Sequence, residues 1–310
     1  MKRREFLKTT ASTALTLGAA GSMSPELIGQ NILKGEIPRR PLGKRIGFEA
    51  SILGLGAAYI GLKEVTHEDA IKVINYLIDN GVNYMDTAPA YNNSQEKLGM
   101  VMKTRRKEVF LATKVSPRDA QGATLELEKN LQLLQTDVID LIQFHGVTEY
   151  QDLEKILGPG GALEAMVKAR KEGKVRFIGI SNHKAPEVMM RALKSYDFDS
   201  ILCAISAADV HYHDFVKEVV PFARKQGAAV IAMKVIVSGA AKGRIIDYIR
   251  YAVSLPIDVA IVGSQTMAHA EESLQAVRNF KPMTDQEKWA LEQEAKSIAT
   301  PEIMWWKRRA

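Results

Sequence analysis

From Ile52 to Gly263 the chain alternates between short apolar runs and segments of helical periodicity. The apolar runs fall near 52–57, 82–86, 109–114, 138–144, 175–181, 200–205, 229–234 and 258–263. The helical segments are 67–80, 95–103, 121–135, 160–172, 185–195, 212–226, 243–254 and 267–278. In 67–80, Ala70, Ile71, Val73, Ile74, Leu77 and Ile78 keep the three-to-four spacing of one helix face, behind a Thr66 cap. Strands each followed by a helix, at a step of about 30 residues, predict an α/β fold: a right-handed, closed, parallel (β/α)8 TIM barrel. Near-continuous apolar strands suit burial on both faces. An open doubly wound sheet is the competing arrangement. Against it, Leu53-Gly54-Leu55-Gly56-Ala57-Ala58 lacks the third glycine of a dinucleotide fingerprint.

Elements flank this repeat on both sides. Arg40-Pro41-Leu42-Gly43-Lys44 and Ile46-Gly47-Phe48-Glu49-Ala50-Ser51 predict an N-terminal β-hairpin around Gly43-Lys44-Arg45. After residue 280 a short tail reads mostly as helix, 284–298, and predicts an open pocket. The closing Lys307-Arg308-Arg309, after Trp305-Trp306, reads as solvated. Residues 38–310 are expected to form one barrel domain behind a linker, 22–37.

Residues 1–21 are read as an export signal and excluded from the fold. Arg3-Arg4 and Phe6-Leu7-Lys8 precede a weakly apolar run ending in Leu17-Gly18-Ala19-Ala20-Gly21. The pattern resembles a twin-arginine (Tat) signal peptide, which implies the twin-arginine export machinery as a partner and the bacterial periplasm as the address. The run is too short for a stable membrane span, which needs about 20 apolar residues.

Charge and cysteine usage exclude other classes. Of a net +6, +3 falls on Lys2, Arg3, Arg4 and Lys8 against Glu5, and the remaining +3 is no nucleic-acid footprint. The one cysteine, Cys203, permits no intramolecular disulfide. His211 and His213 form an HxH pair without an evident third ligand, so no metal site is expected.

Three consecutive strand ends carry proton-active residues: Asp86, Lys114 and His145, with Tyr91 in the loop after Asp86. In a parallel barrel such residues face one mouth, and neighbouring strands lie about 5 Å apart. A phenol with an ordinary pKa of about 10 is a poor acid at neutral pH, and a nearby ammonium favours its ionisation. A carboxylate holds that ammonium charged, and an imidazole can orient a substrate oxygen. The set suits protonation of an alkoxide forming at a carbonyl.

On these motifs the sequence resembles the aldo-keto reductase family, over most of 38–280. The matching stretches are Asp86-Thr87-Ala88 with Tyr91 and Glu96, Thr113-Lys114, Asp140-Leu141 with His145, and Gly173-Lys174-Val175-Arg176 running into Gly179-Ile180-Ser181-Asn182. The resemblance implies a barrel that binds NADP or NAD and reduces a small-molecule carbonyl substrate. It implies Asp86, Tyr91, Lys114 and His145 as the catalytic tetrad, and Ser181 and Asn182 on the nicotinamide carboxamide. It also implies Ser238, Gly239, Gly263, Ser264 and Glu272 along the rest of the cofactor.

The chain departs from the family pattern at several positions. Met233 and Lys234 stand where the family places a stacking aromatic and a serine, and are expected to meet the cofactor. Ala204-Ile205-Ser206 lacks the usual amide side chain, and His145-Gly146-Val147 lacks a pocket aromatic. Gly263 and His269 occupy the positions that clamp a 2′-phosphate in NADP-binding members, so the choice between NADPH and NADH stays open. Two other readings also stay open: a dinucleotide-binding redox sensor or accessory protein of low turnover, and a Schiff-base lyase using Lys114 or Lys234.

Overall fold

The structure is a computed structural model that describes residues 36–308. The expected signal peptide, 1–21, and the linker up to residue 35 lie outside the described residues. Two short antiparallel strands, β1 (Arg39–Pro41) and β2 (Glu49–Ser51), come first. Eight parallel strands follow: β3 (Leu53–Gly56), β4 (Tyr84–Asp86), β5 (Phe110–Val115), β6 (Ile139–Phe144), β7 (Val175–Asn182), β8 (Ser200–Ala204), β9 (Ala229–Met233) and β10 (Val259–Val262). They pair in chain order and close with β10 beside β3, the predicted barrel.

Helices wrap the outside: α1 (His67–Asp79), α2 (Ser94–Arg105), α3 (Ala120–Leu134), α4 (Tyr150–Leu157), α5 (Ala162–Lys171) and α6 (Pro186–Ser195). Then come α7 (Phe215–Glu218), α8 (Val220–Gln226), α9 (Ile245–Val253), α10 (Met267–Gln275) and α11 (Asp285–Ala295). The α1 helix forms for the reasons the sequence gives. Thr66 accepts from the Asp69 backbone N–H as cap, and Ala70, Val73, Ile74, Leu77 and Ile78 are buried.

Two expected helices differ. The segment 160–172 begins at Ala162 as α5, and a separate α4 precedes it across Gly158-Pro159-Gly160-Gly161. The segment 212–226 breaks into α7 and α8, because Val219 leaves helical geometry (φ −120°, ψ −44°) ahead of Pro221. Pro221 has no N–H to donate to Lys217 O, and its ring crowds that carbonyl, so the ladder of α7 stops and a new helix starts with the proline in its first turn, where no N–H is needed.

The hairpin plugs the amino end of the barrel. Leu42, Ile46 and Ala50 join Tyr84, Phe110, Leu141, Leu202, Ile231 and Val259 in one buried cluster. Gly43 has φ +62°, and a Cβ there would lie 2.7 Å from the Ala229 backbone nitrogen. Only glycine fits such an approach. The Arg40 guanidinium donates to Ile257 O at 2.8 Å and Val253 O at 2.7 Å.

The C-terminal tail overturns the expectation of a solvated end at Lys307 and places two tryptophans at the pocket. After α11 the chain folds back over the mouth, and Met304 and Trp306 are buried with Tyr248, Tyr251 and Leu291. Lys307 is fully buried. Its ammonium pairs with Asp209 and donates to Tyr212 O and His213 O, each at 2.8 Å. The run looked like a solvated charge patch because its partners lie about 95 residues upstream. Arg308 is exposed, and Arg309 lies outside the described residues.

Candidate active site

Side chains alternate across each strand, so Tyr84 and Asp86, Ala112 and Lys114, and Leu141 and Gln143 share the barrel interior. Register places Asp86 beside Ala112 and Lys114 beside Gln143. A polar layer therefore sits above the apolar plug. The Lys114 ammonium pairs with Asp86 Oδ1 and donates to Thr87 O at 2.8 Å. Gln143 Nε2 donates to the other carboxylate oxygen of Asp86 at 2.8 Å.

Tyr91 closes the group from the loop after β4. The Lys114 ammonium lies 5.0 Å from its ring centroid, and its ring meets His145 edge-on at 6.0 Å. Packing fixes that loop. Ser94 Oγ donates to Ala57 O at 2.8 Å and is hydrogen-bonded to Thr87 Oγ1. A Cβ at Gly61 would lie 2.0 Å from Tyr91 O, so the backbones touch there.

Burial and charge set the protonation states. Burial pulls the Lys114 pKa down, but Asp86 and then Tyr91 outweigh it, and the net shift is upward. Lys114 therefore stays an ammonium. His145 is pushed down to about 3, first by burial and then by Lys114 and Arg118, so its ring is neutral near pH 7. His183 is likewise pushed down to about 3, by burial and then by Lys234.

Asp86, Tyr91, His145, His183, Met233 and Lys234 line one cavity of about 510 Å3 at the carboxyl end of the barrel. Trp305 and Trp306 from the folded-back tail form its outer wall. A second cavity of about 340 Å3 shares Tyr59, Ser238 and Gly263 with the first and contains Gly239 and Glu272. Together they form a groove from the polar layer to the start of α10. Gly263 lets the Tyr59 ring pack directly on its backbone, since a Cβ there would strike the ring at 2.2 Å. Residues 234, 237 and 238 beside the groove all have positive φ, and for a β-branched residue such as Val237 that is a strained conformation.

Of the residues expected at the cofactor, Met233, Lys234, Ser238, Gly239, Gly263 and Glu272 line this groove. Ser181, Asn182 and Ser264 are buried and are not among the residues that line it. Ser181 Oγ donates to Phe144 O at 3.2 Å and accepts from Gly146 N at 2.8 Å. Asn182 Nδ2 donates to Val147 O and Ala185 O, while its Oδ1 accepts from Lys184 N and Ala185 N. Both side chains hold the loops that carry His145 and His183, the ordinary use of Ser and Asn at a strand-to-loop turn.

Sequence reasoning missed Gln143, His183, Lys242 and the tryptophan pair. Gln143 was legible: it stands two residues before His145, on the same face of an apolar strand. Lys242, at the second cavity, lies in a loop with no periodic signal. Among the described residues no group of three or more His, Cys, Asp or Glu is placed to hold a metal ion.

The architecture is a parallel barrel with its polar cluster at the carboxyl mouth. The chain belongs to the aldo/keto reductase family, whose pattern matches residues 52–252. It is 35% identical over 153 residues to Aldo-keto reductase YhdN of Bacillus subtilis (strain 168), covering 44% of each chain. It is 30% identical over 185 residues to Uncharacterized oxidoreductase YqkF of the same organism, covering 55% of this chain and 57% of that one. The chain thus spans about half the length of these curated relatives. A solved aldo-keto reductase from Bacillus halodurans, in holo form, matches with a TM-score of 0.72 at 22% identity, covering 84% of this chain and 96% of that one. That likeness concerns the fold.

Proposed function

We propose that the protein is an NAD(P)H-dependent reductase of aldehydes or ketones. The observation that carries this reading is the junction of Asp86, Tyr91 and His145 at one cavity wall, with Lys114 buried behind them against Asp86 and Tyr91. Related proteins support it: D-threo-aldose 1-dehydrogenase of a Pseudomonas species is 27% identical over 234 residues, 64% of this chain and 70% of that one. Two solved structures of aldo-keto reductase from Klebsiella pneumoniae share this fold, one in complex with NADP and acetate and one with NADPH.

The groove fits a dinucleotide. Its two cavities join at Gly263, and Met233 provides an apolar face beside the polar layer. Lys242, exposed at the second cavity, supplies a cation where the sequence offered only Gly263 and His269, which favours NADP(H). A bound nicotinamide supplies hydride to the carbonyl carbon. Tyr91 donates the proton to the carbonyl oxygen. The Lys114 ammonium, held by Asp86, stabilises the phenolate left behind. Neutral His145 donates a hydrogen bond that orients the carbonyl.

Tyr91→Phe tests the reading. The variant should bind dinucleotide normally in a fluorescence titration and lose turnover by several orders of magnitude. Near-parental turnover would sink the assignment. Titration of the parent with NADPH and NADH decides the cofactor preference.

The twin-arginine pattern of residues 2–8 supports export to the periplasm by the twin-arginine machinery. Replacing Arg3 and Arg4 by lysine should leave the protein in the cytoplasm; periplasmic protein in that variant refutes the route.

A further inference from the structure

Most cations near the cavity already have a partner. Lys114 pairs with Asp86, Lys184 with Glu149 at 3.2 Å, and Lys307 with Asp209. Arg308 also lines the cavity and has no carboxylate within ion-pair distance among the described residues, but it is exposed at the rim, where water screens it, and donates to Pro301 O at 2.8 Å. Lys234 differs. Among the described residues no carboxylate lies within ion-pair distance of it, and its one hydrogen bond goes to Ser238 Oγ at 3.2 Å. An ammonium has three donors, so two remain for a ligand.

Its surroundings hold the head group in place, and burial with no carboxylate beside it lowers the Lys234 pKa, a cost that an incoming anion would offset. The ammonium faces Trp305 at 5.0 Å and Trp306 at 4.8 Å from the ring centroids. Cation–π attraction stabilises a cation there but leaves its charge intact. The backbone is held in the left-handed region, φ +61°, a conformation that costs free energy and persists at functional positions. Lys234 lines the cavity that contains Tyr91 and His145 and does not line the second cavity along the groove. The carboxylate nearest the chemistry, Asp86, is already paired, and both mouth histidines are neutral. The mouth therefore carries uncompensated positive charge on the substrate side.

We propose that Lys234 is a specificity-determining residue that binds an anionic oxygen group on the substrate, so that the preferred substrates are aldehydes or ketones carrying a carboxylate or a phosphate. This rests on the carbonyl reductase reading above. Met233 and Lys234 thereby divide their work, the first facing the cofactor and the second the far end of the substrate. A charge-assisted hydrogen bond in a half-buried site discriminates roughly 10- to 100-fold between ligands with and without the anion.

Matched pairs test this: 4-oxobutanoate against butanal, and glyceraldehyde 3-phosphate against glyceraldehyde, with kcat and KM measured for each. The parent should favour one or both anionic members by tenfold or more, mainly in KM, and the favoured pair tells carboxylate from phosphate. Lys234→Met should bring that ratio close to one, and Lys234→Arg should restore most of it. A second readout needs no turnover. Succinate or inorganic phosphate titrated onto the protein–NADP+ complex should perturb tryptophan fluorescence, because Trp305 and Trp306 flank the ammonium, and Lys234→Met should abolish the response. Equal kcat/KM within both pairs overturns the proposal while leaving the reductase reading intact. A loss in Lys234→Met carried by weaker NADP(H) binding also overturns it, since the ammonium then serves the cofactor. Dinucleotide binding without reduction of any of the four carbonyls overturns the reductase reading, and this proposal with it.

Discussion

Gln143 donates to one carboxylate oxygen of Asp86 while Lys114 takes the other. The carboxylate is thus gripped from two adjacent strands, and its plane is fixed relative to the ammonium. The other side of the Gln143 amide has no partner: Oε1 is buried without a hydrogen bond. Gln143→Met removes a hydrogen bond to a charged group, worth about 1.5–3 kcal/mol, but also an unsatisfied acceptor worth about 1–3 kcal/mol. The two effects largely cancel in stability. Turnover should still fall about tenfold, because Asp86 is then free to rotate under Lys114. Thermal unfolding and steady-state kinetics on one preparation separate the two effects.

Gly61→Ala should reduce turnover without altering any proton-active group. The new Cβ would meet Tyr91 O at 2.0 Å, a backbone atom that cannot swing aside. Relief requires the Tyr91 loop to shift, and a displacement of about 1 Å at a reacting group can lower the rate about 100-fold. The expected stability loss is about 1–3 kcal/mol, as for overpacking. Parental kcat in this variant would show that the loop adjusts elsewhere.

Acid should weaken the fold through the two mouth histidines. Both pKa values are depressed to about 3 from an ordinary 6.5, burial being the first cause. Between those values the unfolded chain binds protons that the folded chain does not. Their contribution is therefore complete above pH 6.5 and lost as pH falls toward 3. Each histidine accounts for up to about 2 kcal/mol between pH 6.5 and 5, and solvent at the mouth screens part of that. Urea unfolding at pH 7 and pH 5 measures the slope, and His183→Asn should flatten it. For the same reason kcat/KM should show no limb near pH 6.5 from His145.

Lys307→Met should detach the tail. It strands the Asp209 carboxyl, already shifted upward by burial, without its partner. Removing one member of a buried ion pair costs about 3–5 kcal/mol. Asp209→Leu combined with Lys307→Met should recover most of that loss, because no unpaired charge remains. Chemical denaturation compares the single and double variants.

The sequence reveals the barrel because each strand–helix unit satisfies its own local pattern, and α1 shows cap, acidic first turn and apolar face together. Asp86, Lys114 and His145 were legible for a related reason: each breaks an apolar run at its carboxyl end, where a parallel barrel gathers its strand ends. What stayed hidden depends on distant partners. Lys307 finds Asp209 and two carbonyls far upstream, and its local neighbours say only that it is charged. Ser181 and Asn182 were placed correctly at the end of β7, but which groups their side chains reach is decided by the loops after β6 and β7. The break between α7 and α8 could have been read from Pro221, which the helical periodicity of 212–226 masked.

The hairpin that plugs the barrel floor also orders the events of folding. It precedes every barrel strand in the chain, yet Arg40 binds carbonyls 213 and 217 residues away, beside the last strand. Its seat does not exist until the eighth strand has joined the first. The earliest described element is therefore among the last to dock, and contacts of such long separation slow folding, since loop-closure entropy is lost before they form.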